Sequence, residues 1–404
     1  MNARELVFVC QVFHPDPTST SQLFSAVLPE LRRRGWAVQV LCGFPAVEGC
    51  GRLRRAELWN GIRIQRCGLR VALKRSMLHR ACSYVSFLGE VWLRLLLLPR
   101  QSKWFGVTNP PFTPWVMALA ARSRPKAFGF MFLDVHPEGL IALGELAPSS
   151  AFVRVWRALN RWSYRRADPV AALGRDMLPL LSREYGIPET RMEYLPHWSA
   201  VEAQEPLPFE SSRFVEQWGL SGKFVVQYSG NMGLWHDMET FVRAASRLRD
   251  DARIQFVFIG DGIRRHSAER LAREIQAPNI QWRDFVPKEL LAESLAASHL
   301  TLLSLRSGLE GVAVPCKLYG MLASGRAILA QVPIASEVAL TVRELDCGTV
   351  VEPGDVQTLC SEILAFSLDE AKTRSMGRRS FEAYRTRYSL HRAADNIERF
   401  LRRT

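Results

Sequence analysis

Three glycine-bearing segments in the second half of the chain carry residues suited to an anion. Gly230-Asn231-Met232-Gly233 follows the β-rich run from Phe224 to Tyr228 and precedes a helical pattern. Backbone amides there could approach a phosphate that a side chain would keep away. Gly260-Asp261-Gly262 follows Phe256 to Ile259 in the same way, with Arg264 and Arg265 opening the next helix. The third segment, Gly308-Leu309-Glu310-Gly311, runs on to Pro315-Cys316-Lys317, and proline is favoured at a first helical position, so a helix is predicted to begin at Pro315. Free N–H groups, the positive dipole end and the Lys317 charge would together suit a diphosphate. Each feature also has a plainer account: glycine is common at strand-to-helix turns, and a lone lysine is usually a solvated surface residue.

The first half offers fewer reactive types. Asp134-Val135-His136-Pro137-Glu138 follows the apolar run from Ala127 to Phe132 and puts a carboxylate and an imidazole at a strand end, where a packed histidine is an equal alternative. His14, Thr18, Ser19, Thr20 and Ser21 form the loop after the first strand; their side chains could meet sugar or phosphate oxygens, or simply cap a helix through Ser19 or Thr20. His236-Asp237 opens a helix that Asp237 would cap, and Glu337 at another helix start reads equally as a ligand contact or a solvated acid. The cysteines, at 10, 42, 50, 67, 82, 316, 347 and 360, form no Cys-x-x-Cys pair and have no interleaved histidine. Neither a zinc site nor a redox pair is expected, and reduced thiols in a cytoplasmic protein fit this usage.

These residues need strands and helices to hold them. Strand-like runs at Leu6–Cys10, Ala37–Leu41, Ile62–Arg66, Trp104–Thr108, Ala127–Phe132 and Pro169–Leu173 alternate with helical patterns, which predicts a mostly parallel sheet covered by helices. After a pattern-poor stretch a second series follows at 224–228, 254–259, 280–282, 300–305, 327–329 and 349–351. The expected fold class is α/β, with two Rossmann-like domains: residues 1–198, a linker over 199–222, residues 223–367, and an Arg-rich helical arm over 368–404 that breaks near Tyr388-Ser389 and whose C-terminal helices are expected to return to the N-terminal domain. At 404 residues the chain exceeds what one core usually organises, and 48% apolar with 23% charged residues is a globular composition. The first residues lack a signal-peptide core, and Met77 to Pro99 is interrupted by Arg80, Glu90 and Arg94, so neither secretion nor a membrane span is expected.

Taken in order, Tyr228-Ser229-Gly230-Asn231-Met232-Gly233, Phe258-Ile259-Gly260-Asp261-Gly262, Val314-Pro315-Cys316-Lys317-Leu318-Tyr319, Leu322-Ala323-Ser324-Gly325-Arg326 and Val351-Glu352-Pro353-Gly354-Asp355 resemble family 4 glycosyltransferases of bacterial surface-polysaccharide synthesis, such as those of colanic-acid and O-antigen pathways. In the first half, Gln11-Val12-Phe13-His14-Pro15-Asp16, Thr108-Asn109-Pro110-Pro111, Asp134-Val135-His136-Pro137-Glu138 and Leu195-Pro196-His197-Trp198 fall in the same order. The resemblance implies the GT-B fold, two Rossmann-like domains facing across a cleft, with a nucleotide-diphosphate sugar donor held mainly by the second domain and the acceptor by the first. It implies transfer of a hexosyl or deoxyhexosyl group, generally with retention, with no metal and no cofactor, the nucleotide sugar being a substrate. The implied donor set is Gly230, Asn231, Gly233, His236, Gly260, Asp261 and Gly262, with Arg306, Pro315 and Lys317. Asp134 and His136 take the place of residues near the scissile bond, where they could accept a hydroxyl proton or stabilise an oxocarbenium-like centre. His14, Ser19, Thr20 and Glu138 fall on the acceptor side.

Two departures stand out. The Glu-x7-Glu signature of many relatives falls on Val312 and Gly320, with Glu310 nearby but unmatched. The Arg and Lys that commonly grip the diphosphate are replaced by Asn231 and a residue near His236, which moves that role to Lys317, the helix start at Pro315 and Arg306. A net charge of +13, from 53 Lys plus Arg against 40 Asp plus Glu, calls for an anion. Nucleic acid is disfavoured because no binding module or base-stacking pattern accompanies the charge. An anionic membrane surface fits better, since Lys74, Arg75, Arg80, Arg94 and Arg100 surround Leu95 to Leu98. The expectation is a glycosyltransferase at the inner face of the cytoplasmic membrane, acting on a lipid-linked or other glycan acceptor. A nucleotide-sugar epimerase of related fold and a non-catalytic basic protein are the alternatives.

Overall fold

The computed structural model describes residues 4–45, 53–70, 77–123 and 127–404, without the side chains of 77–80. It divides into two units. Unit 1 comprises residues 1–200, 311–313 and 390–404, and unit 2 comprises 201–310 and 314–389.

In unit 1 the strands are β1 (Arg4–Val9), β2 (Trp36–Cys42), β3 (Ala56–Trp59), β4 (Ile62–Arg66), β5 (Lys103–Val107), β6 (Phe128–Phe132), β7 (Ala167–Ala172) and β8 (Met192–Tyr194). Its helices are α1 (Ser19–Arg33), α2 (Met77–Leu97), α3 (Thr113–Ala121), α4 (Glu138–Ala142), α5 (Ala151–Tyr164) and α6 (Met177–Tyr185). The sheet order is β3-β4-β2-β1-β5-β6-β7-β8, parallel except for the β3–β4 hairpin. That hairpin turns through Asn60 and Gly61, both at positive φ, the Asn-Gly combination that suits a two-residue turn. Central strands read as unbroken apolar runs because helices cover both faces: all five residues of β6 are buried.

Unit 2 continues with α7 (Arg213–Gln217), β9 (Phe224–Ser229), α8 (Met238–Arg247), β10 (Ile254–Ile259), α9 (Arg265–Glu274), β11 (Ile280–Arg283), α10 (Leu291–Ala296) and β12 (Leu300–Ser304). It closes with α11 (Lys317–Ser324), β13 (Ala327–Gln331), α12 (Glu337–Glu344), β14 (Gly348–Val351), α13 (Val356–Leu368) and α14 (Glu370–Ala383). The order β11-β10-β9-β12-β13-β14 is parallel throughout. The expected pair of parallel-sheet α/β domains is therefore present.

The C-terminal arm divides near the expected break, and its last helix returns to the first domain as expected. Met376 of α14 joins the unit 2 core, a π-helical turn at Tyr384–Tyr388 follows, and α15 (Leu390–Arg403) belongs to unit 1. There α15 packs on α1, and Phe400 meets Phe105 at 5.5 Å between ring centroids. Gly129 of β6 permits that approach, since a Cβ there would lie 2.9 Å from the Phe400 ring. Among the described residues no helix is long and apolar enough to cross a membrane, and all seven described cysteines are free thiols.

Candidate functional site

In unit 2 the candidates gather at the carboxyl ends of β9, β10 and β12. The β9 and β10 loops lock together backbone to backbone: Gly230 N–H donates to Ile259 O at 2.9 Å and Met232 N–H to Asp261 O at 2.8 Å. Gly260, at φ +123°, is required there, because a Cβ would fall 2.2 Å from Gly230 O. This corrects part of the expectation, since the Gly230 amide is spent on β10 and cannot serve a phosphate. The glycines of this loop pair allow two chains to approach as much as they open a ligand site.

Lys317 is the centre of the arrangement. Its stem crosses Gly230, where a Cβ would lie 2.6 Å from Lys317 Cε. Its Nζ donates to the Tyr228 hydroxyl, to Asn231 O at 2.6 Å and toward His236 Nε2 at 3.3 Å, and sits 4.2 Å from the Tyr228 ring centroid. His236 Nδ1 lies 2.8 Å from Ser304 O, a carbonyl that can only accept, so Nδ1 carries the ring proton and Nε2 presents a lone pair to Lys317. No carboxylate among the described residues pairs with the ammonium. Lys317 is half-buried by area yet enclosed closely enough that desolvation pulls it from its ordinary value to about 7. His236 is pushed down to about 3 by burial and then by Lys317, and is neutral at physiological pH.

The predicted helix start shifts slightly: α11 begins at Lys317 with Cys316 at the cap position, so Pro315 precedes the helix. The Leu318 and Tyr319 amides already bond Pro315 O and Cys316 O at 3.3 Å each, which leaves the lysine as the principal cationic feature of this turn. Beside it, a cavity of about 360 Å³ is lined by His236, Asp237, Arg264, Ser267, Arg306 and Pro353 among others. Arg306 spans the β9–α8 loop through Trp235 O and Leu234 O. Arg264 Nε is buried there without a hydrogen-bond partner. Asp237 caps α8, accepting from Thr240 N–H at 3.2 Å, and also takes Gln331 Nε2 at 2.8 Å. Glu337 is fully buried and accepts from the Thr341 hydroxyl, so it is not a solvated acid. A second cavity in unit 2, lined by Phe209, Phe224, His299 and Arg326 at the opposite strand ends, contains none of the sequence candidates.

In unit 1 the loop after β6 is shaped by residues distant in sequence. The Thr108 hydroxyl accepts from Leu133 N–H at 2.9 Å and Asp134 N–H at 3.2 Å, and Val135 N–H donates to Val312 O at 2.9 Å. The Asp134 carboxylate has no hydrogen-bond partner among the described residues, and desolvation raises it to about 7. His136 is lowered to about 4 by burial; its Nδ1 is buried without a partner, and its ring stacks on Trp156 at 6.3 Å. A partly exposed carboxyl near 7 beside a neutral imidazole can take a proton from a hydroxyl at neutral pH.

Glu138 is different from what its position suggested. It is buried, accepts from Arg157 Nε at 2.9 Å and from the Tyr185 hydroxyl, and so holds α4, α5 and α6 together instead of presenting a carboxylate to an acceptor. His14 stacks on Trp59 at 4.3 Å, and its carbonyl takes a bond from the fully buried Arg66 guanidinium, which also pairs with Glu57 at 2.6 Å. Ser19 and Thr20 lie in the first turn of α1 and do not cap it: Thr18 is the cap residue, without a side-chain bond, and Asp16 Oδ1 accepts from Thr18 N–H at 2.9 Å. Residue type and spacing do not single out Tyr228, Arg264, Thr108 or Arg66 as contributors. Tyr228 and Thr108 lie inside motifs read from the sequence, whereas Arg66 looked like the end of a strand. Among the described residues no group of three or more His, Cys, Asp or Glu could hold a metal ion.

Comparison with known proteins bears on these two sets of residues. Residues 23–198 match the glycosyl transferase 4-like domain, and residues 223–369 match the glycosyl transferases group 1 family. The chain belongs to the group 1 glycosyltransferases. It is 29% identical over 233 residues to the probable glycosyltransferase WbjE of Pseudomonas aeruginosa, a match spanning 57% of this chain and 58% of that one. It is 23% identical over 369 residues to the putative colanic acid biosynthesis glycosyl transferase WcaI of Escherichia coli (strain K12), spanning 87% and 89%. In fold it is similar to HepE of Anabaena, solved in complex with UDP, with a TM-score of 0.70, 13% identity and coverage of 98% and 99%. This glycosyltransferase is thus related to bacterial polysaccharide-biosynthesis enzymes.

Proposed function

We propose that the protein transfers a hexosyl or deoxyhexosyl group, with retention, from a nucleotide-diphosphate sugar to a hydroxyl of a lipid-linked or other bacterial envelope glycan, working at the inner face of the cytoplasmic membrane without a metal or cofactor. The observation that carries the donor half is Lys317, a cation without a carboxylate partner among the described residues, held against the Gly230 loop beside a cavity that adds Arg264 and Arg306. A diphosphate supplies the charge such a lysine favours. The UDP complex of HepE supports a nucleotide-sugar donor by analogy of fold.

In the proposed step the bond from the anomeric carbon to the diphosphate oxygen breaks, and the acceptor oxygen bonds to that carbon on the same face. The bonding pair leaves with the nucleoside diphosphate, whose added charge Lys317 and Arg306 offset. The acceptor hydroxyl loses its proton to the Asp134 carboxylate. His136, neutral at this pH, lies on the same loop and lends polarity without charge.

A thermal-shift screen of nucleotide sugars, followed by product analysis with and without acceptor, tests the reading. Asp134→Asn is expected to lower kcat by about 10²-fold or more while leaving donor affinity within about two-fold. Equal losses in kcat and donor binding would remove Asp134 from the reaction centre. An altered sugar released without an acceptor would mark an epimerase instead, and no turnover with any donor would mark a non-catalytic protein.

A further inference from the structure

We infer that the outer faces of α2, α3 and α5 in unit 1 form one docking surface for an anionic lipid bilayer; its purpose, though not its geometry, rests on the proposed lipid-linked acceptor. α2 is amphipathic in an unusual sense. Phe87, Val91 and Leu95 are buried on one side, yet the outward side is also uncharged: between residues 81 and 97 every exposed position is Ala, Cys, Val, Gly or Leu. Val85, Leu93 and Leu97, spaced by multiples of four on one helical face, are 71%, 54% and 86% exposed. The two charged side chains in this span are consumed elsewhere. Glu90 bonds Arg94 at 2.6 Å, Arg55 at 3.0 Å and the Gly68 amide at 2.7 Å.

The neighbouring helices extend the pattern. α3 packs between α2 and α5, has no charged residue, and leaves Leu119 exposed. On α5, Phe152, Val155 and Leu159 are exposed at spacings of three and four residues. The same helix and the turn after it expose Arg154, Arg161, Arg165 and Arg166 and contain no acid. Arg100 and Arg122, beyond the ends of α2 and α3, are exposed as well. Exposed apolar residues on this scale mark an interaction surface. A protein partner would normally meet a rim of both signs, whereas here the rim is arginine and the one acid of the three helices, Glu90, is already paired. Apolar side chains flanked by cations complement acyl chains below anionic headgroups. The side chains of Lys74, Arg75 and Arg80, also basic, lie outside the described residues, and nothing here depends on them.

The surface connects to the reacting loop. Phe152 meets Trp156 edge-on at 5.4 Å, and Trp156 stacks on His136 at 6.3 Å, so a chain two aromatic side chains long joins the docking face to His136 of the proposed reaction centre. A lipid-linked acceptor whose headgroup stays at the bilayer would be presented on the side of unit 1 that carries His136.

Co-sedimentation of the full chain with vesicles of phosphatidylglycerol in phosphatidylcholine, against phosphatidylcholine alone, tests this directly. The wild type is expected to sediment with the anionic vesicles and to be released by salt. Leu93→Glu with Leu97→Glu should reduce the vesicle-bound fraction by about ten-fold or more, and Arg154→Glu with Arg165→Glu should both weaken binding and flatten its salt dependence. Unfolding temperature and stabilisation by a donor should be unchanged in both variants. A wild type that ignores anionic vesicles, or a Leu93→Glu/Leu97→Glu variant that binds them as well as the wild type does, overturns the inference. Conversion of an oligomer to a monomer by those glutamates, without vesicle binding by the wild type, would assign the face to a second copy and also overturn it. Vesicle binding without any donor response would leave the surface standing and remove the transferase reading; a donor response without vesicle binding would do the reverse.

Discussion

Two titrating residues set the expected pH behaviour. As the proposed base, Asp134 must be ionised to accept a proton, so with its carboxyl near 7 the value of kcat/KM should rise as pH increases through that point. Lys317 works in the opposite sense. Free, it loses its proton above about 7; a bound diphosphate favours the charged form and raises its pKa, so binding takes up a proton. Donor affinity is therefore expected to decline above pH 7 by up to about ten-fold per unit, giving a bell-shaped kcat/KM profile. Calorimetric titration of the donor in two buffers of different ionisation enthalpy reads the proton uptake. Lys317→Arg should keep the donor and lose the alkaline slope, because arginine stays charged; an unchanged slope would place the titrating group elsewhere.

Among the elements, the β9–α8 loop and α11 act as one device, because Gly230 is both the bend of one and the bed of the lysine from the other. Gly230→Ala meets φ +129° and a Lys317 Cε at 2.6 Å, so it should cost about 1–3 kcal/mol of stability and weaken donor binding about ten-fold by displacing the ammonium. Chemical denaturation with donor titration checks both; wild-type affinity in this variant would show that the lysine is not positioned by the loop. The strands of this device were legible in the sequence because buried parallel strands leave continuous apolar runs, as Phe224–Tyr228 and Phe256–Ile259 do. Of the β3–β4 hairpin only β4 is legible, since Ala56–Trp59 alternates exposed and partly exposed positions at a sheet edge. What no spacing rule could supply are the long-range partners. Lys317 meets Tyr228 from 89 residues away, and Tyr185 reaches Glu138 across 47, turning an apparent ligand acid into a structural one.

On the scale of the whole molecule, the charge of +13 includes two distinct groups of cations: Lys317 beside a unit 2 cavity that Arg264 and Arg306 line, and a larger set of exposed arginines on the helices of unit 1. The division of the chain is equally uneven, because unit 1 takes its last helix from the far end of the sequence. Ile397, Phe400 and Leu401 of α15 are fully buried there, and at about 1.5–3 kcal/mol each they match a large part of the 5–15 kcal/mol that usually holds a domain. A chain ending at Ser389 should therefore give a protease-resistant fragment starting near residue 201 and a digested first half; equal resistance of both would show that α15 is dispensable. The same helix sets an order of events during synthesis. The first half emerges from the ribosome first but must wait for residues 390–404, whereas unit 2, continuous apart from residues 311–313, can settle in the meantime. Unit 1 is thus completed only after α15 has been made, and a chain interrupted before residue 390 carries a settled unit 2 and an unfinished unit 1.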